Sequence, residues 1–347
     1  MSNQEYSVDQ EIAYFFEKTS ATRSACNARA KELVGGNVTP VAVQGVCSYS
    51  VYAGPNDDFV VQFRLKSLEL RMETVNLARD MYGSLTPQVS FKGQIGEDVD
   101  GKEPLYVYVM SRVQGISHLD FILAHSLPEN SPQNFTWRKN LIADVARFFA
   151  LAWKAPQDTD QAYRDDLRHR YEKELRLLLA SLPDRFHPII QMSLNAIPAI
   201  LSLPMVLLHK DFGTCNIMVD NTSCHLVGVI DWAEAEIGPF GLNLHSVQPL
   251  ISKFHLRDGW IKYDDYDILQ ETFWSIFRGE VGGLSEETIR AIESARVMGL
   301  LLSRGFTSRL ANMPEPVPIR DDENGAYNIR DLDGLLINPA TRFAELA

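Results

Sequence analysis

The feature that most limits how this chain can fold is a polar loop that runs directly into two short apolar segments. The loop reads H-x-D-x-x-x-x-N from His209 to Asn216, and the strand-like run Ile217–Val219 follows it at once. A second apolar run, Leu226–Ile230, ends at Asp231. Apolar runs separated by a turn indicate a strand–turn–strand unit, which places Asp231 at the end of the neighbouring strand.

These residue types suit phosphoryl transfer when they occur in this order. Asp211, on the loop, can orient an attacking hydroxyl group and accept its proton. The amide of Asn216 and the carboxylate of Asp231 can hold a divalent metal ion that bridges to nucleotide phosphates. The alternative is a solvated hairpin flanked by turn-forming Asp and Asn residues, and the ordered triple argues against it.

Two neighbours of these residues need a separate interpretation. His209 is interpreted as a structural histidine that bonds loop backbone, and not as a catalyst. The run Asp211-Phe212-Gly213 spells the metal-binding tripeptide of protein kinases. It stands at the catalytic-loop position, however, whereas the metal aspartate should follow Asn216 by one hairpin. Only Asp231 does so, and the tripeptide is therefore interpreted as a coincidence.

The character of the chain changes near residue 111. Two helix-like segments come first, and a helix from Ser67 to Tyr82, closed by Gly83, then interrupts a series of β-rich runs. The predicted strands are Val41–Val46, Ser50–Ala53, Phe59–Arg64, Val89–Gln94 and Leu105–Met110. Beyond residue 111 the apolar spacing is mostly helical, apart from the hairpin at Asp231.

Composition narrows the class of protein. The 347 residues carry 45 acidic and 33 basic side chains, a net charge of −12, which argues against nucleic acid or an anionic membrane as the main partner. Four scattered cysteines without a CxxC pair indicate reduced thiols. The segment Met1–Glu17 lacks the features of a signal peptide, and the most apolar stretch, Ala196–Leu208, is too short to span a bilayer. We therefore expect a cytoplasmic protein.

The motifs together resemble the aminoglycoside phosphotransferase and choline kinase-like family, within the protein-kinase-like fold. The loop from His209 to Asn216 and the run Ile230–Ala235 carry the resemblance. Trp232, where protein kinases place Phe-Gly, and the following Gly238-Pro239 favour the small-molecule branch. The run Val107–Gly115 is similar to the hinge strand of that family. The resemblance covers roughly residues 40 to 250.

The resemblance implies a bilobal α+β fold, with a small five-stranded antiparallel N-lobe and a mainly helical C-lobe. Residues 1–110 would form the nucleotide-binding N-lobe with its N-terminal helical extension. Residues 111–347 would form the C-lobe with the catalytic loop and the acceptor site. The implied function is transfer of the terminal phosphoryl group of ATP or GTP, with Mg²⁺, to a hydroxyl or amino group of a small molecule. The alternative is a degenerate, non-catalytic kinase-fold protein that binds nucleotide or acts as a scaffold.

The resemblance also implies roles for individual residues. Asp211 would be the catalytic base, and Asn216 and Asp231 the Mg²⁺ ligands. Met110, at the end of the hinge strand, would contact the nucleotide. Glu73, on the inserted helix, would pair with the basic residue of strand three. Glu69 is a competitor for that role, and a solvated helix Glu is the simpler reading.

Two departures from the family pattern affect the residues that are expected to bind the nucleotide phosphates. Gln62 stands where the family places its phosphate-binding Lys or Arg, and a neutral amide cannot pair with a phosphate as a cation does. Arg64 lies on the same face of the strand, one step along, and we expect it to supply the charge and to pair with Glu73. The nucleotide loop contains one glycine, and Ser48 and Ser50 would hold phosphates through hydroxyl and backbone N–H groups, although a polar β-turn is equally compatible.

The acceptor cannot be identified from these residues. Four side chains after or near Asp231 could either line a pocket or pack in the core: Trp232, Glu234, Glu236 and His245.

Overall fold

The computed structural model of this protein describes residues 6–99, 101–125, 127–308, 312–313 and 315–346. The chain divides into two compact units, the first running to Gln114 and the second beginning at Gly115, with Asn312 grouped with the first. The fold is α+β, because the first unit contains a five-stranded antiparallel sheet and the second is mainly helical.

The elements are numbered in chain order. The helices are α1 (Val8–Phe16), α2 (Arg23–Val34), α3 (Met72–Tyr82), α4 (His118–Ala124), α5 (Pro132–Lys154), α6 (Gln161–Ser181), α7 (His187–Leu201), α8 (Gln248–Ile251), α9 (Tyr266–Glu280), α10 (Glu286–Arg304) and α11 (Ala326–Leu332). The strands are β1 (Thr39–Pro40), β2 (Ser48–Ala53), β3 (Phe59–Leu65), β4 (Val89–Ile95), β5 (Leu105–Ser111), β6 (Ile116–Ser117), β7 (Met205–Leu208), β8 (Ile217–Val219), β9 (Leu226–Val229), β10 (Glu236–Pro239), β11 (Ser252–His255) and β12 (Gly259–Lys262).

The sheet of the first unit has the strand order β1-β2-β3-β5-β4. Side chains alternate between its two faces, and one face joins a buried core with the inward sides of α1 and α2. Val51, Val61 and Val107 contribute from the strands, while Phe15 and Cys26 contribute from the helices. This apolar face fixes the register of the sheet, and the register in turn sets which polar side chains share the opposite face.

The first strand differs from its prediction. The run Val41–Val46 is not a strand, and β1 is only Thr39–Pro40. The physical reason is the side chain of Gln44, which is buried and takes the place of a strand beside β2. Its Nε2 donates to the carbonyl oxygen of Ser50 at 2.9 Å, and its Oε1 accepts from the Ser50 N–H at 3.0 Å. The loop thus arches outward, which leaves Val43 exposed.

The inserted helix is shorter than its prediction. A 3₁₀ turn at Lys66–Leu68 precedes it, and α3 begins only at Met72. The N–H of Leu70 donates to the Tyr108 hydroxyl oxygen at 3.1 Å and anchors this entry segment to β5. Gly83 follows the helix at φ +56°, a conformation that glycine adopts without steric cost, and so ends it as predicted.

In its described residues, the second unit contains three small sheets among its helices, one of them the β11–β12 hairpin, and the other two lie near the loop that begins at His209. One is the three-stranded sheet β6-β8-β9, and the other pairs β7 with β10. Strand β7, Met205–Leu208, is buried along its whole length and was not predicted, because a short apolar run after a helix is indistinguishable from its continuation. Within the described residues, no helix has the combination of length and apolar content that a membrane span requires.

Candidate active site

The predicted hairpin forms in the second unit. It places Asn216 beside Ile230, the residue before Asp231. Ile217 pairs with Val229 across β8 and β9. One residue beyond this pair, the Ile230 N–H donates to the Asn216 carbonyl oxygen at 2.9 Å. The backbone pairing of the hairpin therefore extends to Asn216 and to Ile230, which precedes Asp231. It fixes the backbone position of one predicted metal ligand and of the residue next to the other.

Asn216 also holds the predicted catalytic base. Its Nδ2 donates to the backbone carbonyl oxygen of Asp211 at 2.8 Å and to the Asp211 Oδ2 at 2.9 Å. Because both bonds use the amide nitrogen, the amide oxygen of Asn216 has no hydrogen-bond partner within the described chain. Asp211 keeps its second carboxylate oxygen, Oδ1, available for a substrate proton.

Asp231 has a left-handed backbone, with φ at +60°. A non-glycine residue in this region costs on the order of 1 kcal/mol, and Asp and Asn tolerate it best. The turn reverses the chain directly after β9 and leaves the Asp231 side chain exposed. The Asp231 carboxylate is therefore accessible to solvent at the end of the hairpin.

His209 joins the loop to the hairpin from inside. It is 2% exposed, and its Nε2 bonds the Ile230 carbonyl oxygen at 2.9 Å. Burial lowers the pKa of His209, and its contacts with Ile230, Asp231 and Asp211 only partly offset that effect. The ring is therefore neutral and donates from Nε2. This bond agrees with the interpretation of His209 as a structural histidine, and its partner is the residue before Asp231.

Phe212, the middle residue of the apparent kinase tripeptide, lies in the core. It is 4% exposed, stacks on Phe148 at 5.4 Å between ring centroids, and meets Phe149 edge-on at 5.3 Å. These rings belong to α5, so Phe212 anchors the loop to that helix. Its packing agrees with the interpretation that Asp211-Phe212-Gly213 is not the metal-binding tripeptide.

The donor set at Asn216 and Asp231 fits Mg²⁺. Both offer oxygen atoms that have no hydrogen-bond partner among the described residues, and Mg²⁺ binds through one or two carboxylates, with water and substrate phosphates completing its shell. Within the described residues, no three His, Cys, Asp or Glu side chains are grouped so that they could cage a metal ion. A Mg²⁺ ion held by Asn216 and Asp231 would need further oxygen ligands from water or substrate.

Most of the predicted nucleotide-binding residues share one face of the first unit's sheet. Ser50 is directly opposite Gln62 and Ser48 is opposite Arg64 across β2 and β3, and Gln62 is next to Tyr108 on β5. The Gln62 Nε2 donates to the Ser50 hydroxyl at 3.3 Å, and the Gln62 Oε1 is buried with no hydrogen-bond partner among the described residues.

Met110 falls on this same face, because it pairs with Val60 two residues along β3 from Gln62. The register therefore brings Ser48, Ser50, Gln62, Arg64 and Met110 together.

The predicted ion pair between Arg64 and Glu73 is not present. Arg64 is 5% exposed, and its Nε donates to the carbonyl oxygen of Leu68, in the 3₁₀ turn that folds back over it. Glu73 lies in the first turn of α3 with its side chain exposed. The pair fails because the turn, and not the helix, covers Arg64. The two terminal guanidinium nitrogens of Arg64 have no hydrogen-bond partner among the described residues.

The four side chains whose placement in a pocket or in the core could not be predicted differ in their surroundings. Trp232 is buried, and its Nε1 donates to the Val229 carbonyl oxygen at 3.0 Å. His245 bonds the Leu242 carbonyl oxygen at 2.9 Å, whereas Glu234 is exposed. Glu236, on β10, is held by two cations that sequence reasoning missed.

Those cations are Arg170 and Lys210. Arg170 Nη1 and Nη2 each lie 3.1 Å from a different Glu236 carboxylate oxygen, and Lys210 Nζ lies 3.3 Å from Oε1. Burial disfavours the ionised form of Glu236, but the two cations outweigh it and lower its pKa. Only Lys210, beside Asp211 in the chain, offered a sequence signal.

The sheet with its inserted helix, together with the loop and hairpin that hold Asp211, Asn216 and Asp231, defines a kinase-like fold of the small-molecule phosphotransferase type. The chain belongs to the phosphotransferase enzyme family APH, which matches residues 52–248.

Several solved structures are similar at low identity. Macrolide 2′-phosphotransferase MphH from Brachybacterium faecium is 13% identical, with 81% of this chain and 90% of that chain covered and a TM-score of 0.50. Aminoglycoside phosphotransferase APH(3″)-Id from Streptomyces rimosus ATCC10970 is 13% identical, with 79% and 96% covered and a TM-score of 0.44. Aminoglycoside-3′-phosphotransferase of type VIII is 17% identical, with 75% and 93% covered and a TM-score of 0.45. At these identities the likeness concerns the fold alone. No curated protein sequence matches the chain.

Proposed function

We propose that this protein transfers the terminal phosphoryl group of ATP or GTP to a hydroxyl or amino group of a small molecule, with Mg²⁺ as cofactor. One observation carries the proposal. The side-chain amide of Asn216 fixes Asp211, while the backbone carbonyl of the same residue fixes the residue before Asp231. A single residue thus links the proposed base to the proposed metal ligand, which a merely solvated hairpin would not require.

The proposed reaction is a displacement at phosphorus. The acceptor oxygen or nitrogen forms a bond to the terminal phosphorus, and the bond from that phosphorus to its bridging oxygen breaks. The nucleoside diphosphate leaves with that electron pair, and the acceptor proton passes to Asp211. Since Asn216 bonds Asp211 Oδ2, the base is held in one orientation before the acceptor arrives, which lowers the entropic part of the barrier.

The Asn216 amide oxygen and the Asp231 carboxylate would hold Mg²⁺, which supplies positive charge to the nucleotide phosphates. In the first unit, Ser48, Ser50 and Arg64 would bind the phosphates, and Met110 would contact the base. Gln62 would approach the phosphates as a neutral donor. Glu73 would act only if nucleotide binding drew Arg64 out of its bond to Leu68.

A second candidate function is a nucleotide-binding protein without transferase activity. It is favoured by one observation, the neutral Gln62 on a face whose neighbouring cation, Arg64, is buried against Leu68. Retention of the complete Asp211, Asn216 and Asp231 arrangement argues against this candidate, because a protein that only binds nucleotide has no use for a base on the acceptor side.

Acceptor-independent hydrolysis tests the proposal before any acceptor is known. Purified protein is incubated with ATP or GTP, with and without Mg²⁺, and nucleoside diphosphate release is measured. We expect slow, Mg²⁺-dependent hydrolysis that Asp231→Asn abolishes. Tight Mg²⁺-dependent binding without any release, in the parent and with every acceptor tried, would instead support the non-catalytic candidate.

A further inference from the structure

The strongest feature outside the assigned site is the ion cluster formed by Arg170, Glu236 and Lys210. Glu236 is directly opposite Leu208 in the β7–β10 pair, and two residues of chain separate Leu208 from Asp211. The cluster thus belongs entirely to the second unit and adjoins the loop of the proposed base. It is carried by three elements: α6, β10 and the catalytic loop.

The cluster contains two cationic side chains and one carboxylate. Two positive side chains converge on one carboxylate, whose side chain is only 18% exposed, while Arg170 and Lys210 keep 40% and 50% of theirs exposed. Asp166, one turn before Arg170 on α6, is exposed and makes no ion pair with it. The three side chains therefore carry one net positive charge, and Lys210 directly precedes Asp211 in the chain, in a protein whose net charge is −12.

The geometry also leaves donors unused. Arg170 directs Nη1 and Nη2 at Glu236 and lies over the Tyr171 ring, and the N–H groups that these contacts do not use remain for another acceptor. Lys210 has three N–H donors and, in the part of the chain that the structure describes, one ion-pair partner, Glu236. Because the partly buried Glu236 holds both cations in place, binding a further anion would cost little side-chain ordering. Arranged donors of this kind match carboxylate and phosphate oxygens.

We propose that Arg170 and Lys210 form an acceptor subsite for an anionic group, so that the molecule phosphorylated is a hydroxylated acid or phosphate ester and not a polyamine. This inference rests on the proposed function, since it specifies the acceptor of the same reaction. A carboxylate or phosphate on the acceptor binds the two cations and places a hydroxyl group at Asp211. An ammonium group there is repelled.

The test uses two sets of acceptors, each built on one carbon skeleton, whose members carry an amino, neutral, carboxylate or phosphate substituent. One set is glucosamine, glucose, glucuronate and glucose 6-phosphate, and the other is serinol, glycerol, glycerate and glycerol 3-phosphate. Nucleoside diphosphate release above the acceptor-free rate is measured for each. We expect the acid-bearing members to exceed their neutral counterparts at least 10-fold in kcat/KM, and the two acid arms separate a carboxylate from a phosphate preference. Turnover of no acid-bearing member, or preference for an amine, overturns the inference.

Substitutions of the two cations distinguish binding of the acceptor's anionic group from positioning of Asp211. Lys210→Gln and Arg170→Gln should raise the KM of acid-bearing acceptors at least 10-fold while changing kcat/KM of the neutral members less than 3-fold. Lys173→Gln, which removes an exposed α6 cation paired with Glu315, is the matched control and should change neither. Equal losses on neutral and acid-bearing acceptors would mean that the cluster only positions Asp211, and would overturn the subsite.

Hydrolysis of nucleotide without an acceptor distinguishes failure of the proposed subsite from failure of the proposed function. If Mg²⁺-dependent hydrolysis is present but no acid is accepted, the subsite is wrong and the proposed function stands. If neither nucleotide hydrolysis nor transfer occurs, the proposed function itself has failed. Thermal unfolding of Arg170→Gln shows whether that variant is folded, and Lys210→Gln provides the decision if it is not.

Discussion

The amide nitrogen of Asn216 lies 2.9 Å from Asp211 Oδ2 and 2.8 Å from the Asp211 carbonyl oxygen. One side chain therefore restrains both the carboxylate and the backbone of the proposed base. The Asn216 carbonyl oxygen also accepts the Ile230 N–H, so a single residue contacts both Asp211 and the residue before Asp231. The following expectations depend on this arrangement and on the residues around it.

Asp211→Asn should reduce phosphoryl transfer roughly 10²-fold or more, with nucleotide binding preserved. The new amide oxygen can still accept the Asn216 hydrogen bond, so the loop keeps its geometry while the base is lost. Steady-state kinetics and calorimetry measure the two properties. Asp184→Asn, a fully exposed carboxylate in the same unit, is the control. Near-normal transfer by Asp211→Asn would remove Asp211 from the catalytic role.

Asp231→Asn should weaken Mg²⁺-dependent nucleotide binding more than Asn216→Ala does. The first change removes a negative charge from a metal ligand, and the second removes a neutral oxygen. Calorimetry with and without Mg²⁺ gives the order. Asn216→Ala should in addition lower kcat, because Asp211 loses both bonds to the amide. If Asp231→Asn binds the Mg²⁺–nucleotide complex as tightly as the parent, Asp231 is not the metal ligand.

Arg64→Met should weaken nucleotide binding by about 1.5–3 kcal/mol, the range for a lost charge-assisted hydrogen bond, and Gln62→Met much less. Gln62→Lys should help little, since the charge is already present. Binding is measured by calorimetry on variants whose folding is checked by thermal unfolding, since Arg64 also bonds Leu68. An inert Arg64→Met combined with a large gain from Gln62→Lys would favour the non-catalytic candidate.

His118 should make the protein less stable as pH falls from about 6.5 to about 4. Burial lowers the pKa of His118 to about 4, so in this window the unfolded chain binds a proton that the folded chain excludes. The stability is fully present above the unfolded pKa and decreases by about 3 kcal/mol by pH 4. Urea unfolding across this range should show a shallower slope for His118→Gln. An unchanged slope would mean that other groups govern acid unfolding.

Sequence alone determined the features that depend on local spacing. The loop from His209 to Asn216, the hairpin ending at Asp231 and four of the five strands of the first sheet follow from residues that are neighbours in the chain. Periodicity and turn chemistry act over a few residues, so they can be recognised without knowing what packs against them. Even there, the predicted strand Val41–Val46 was wrong, because the Gln44 side chain replaced a backbone partner.

Only the tertiary structure decided the contacts between distant segments. Arg64 and Glu73 looked like a pair from their positions on a strand and a helix, yet the turn at Leu68 took the guanidinium group. Arg170 and Glu236 are 66 residues apart, and no local pattern connects them. A side chain's partner is fixed by which surfaces exclude water together, and that depends on the packing of the whole unit. The sequence therefore determined which residues could carry the chemistry, and the fold determined which charges surround them.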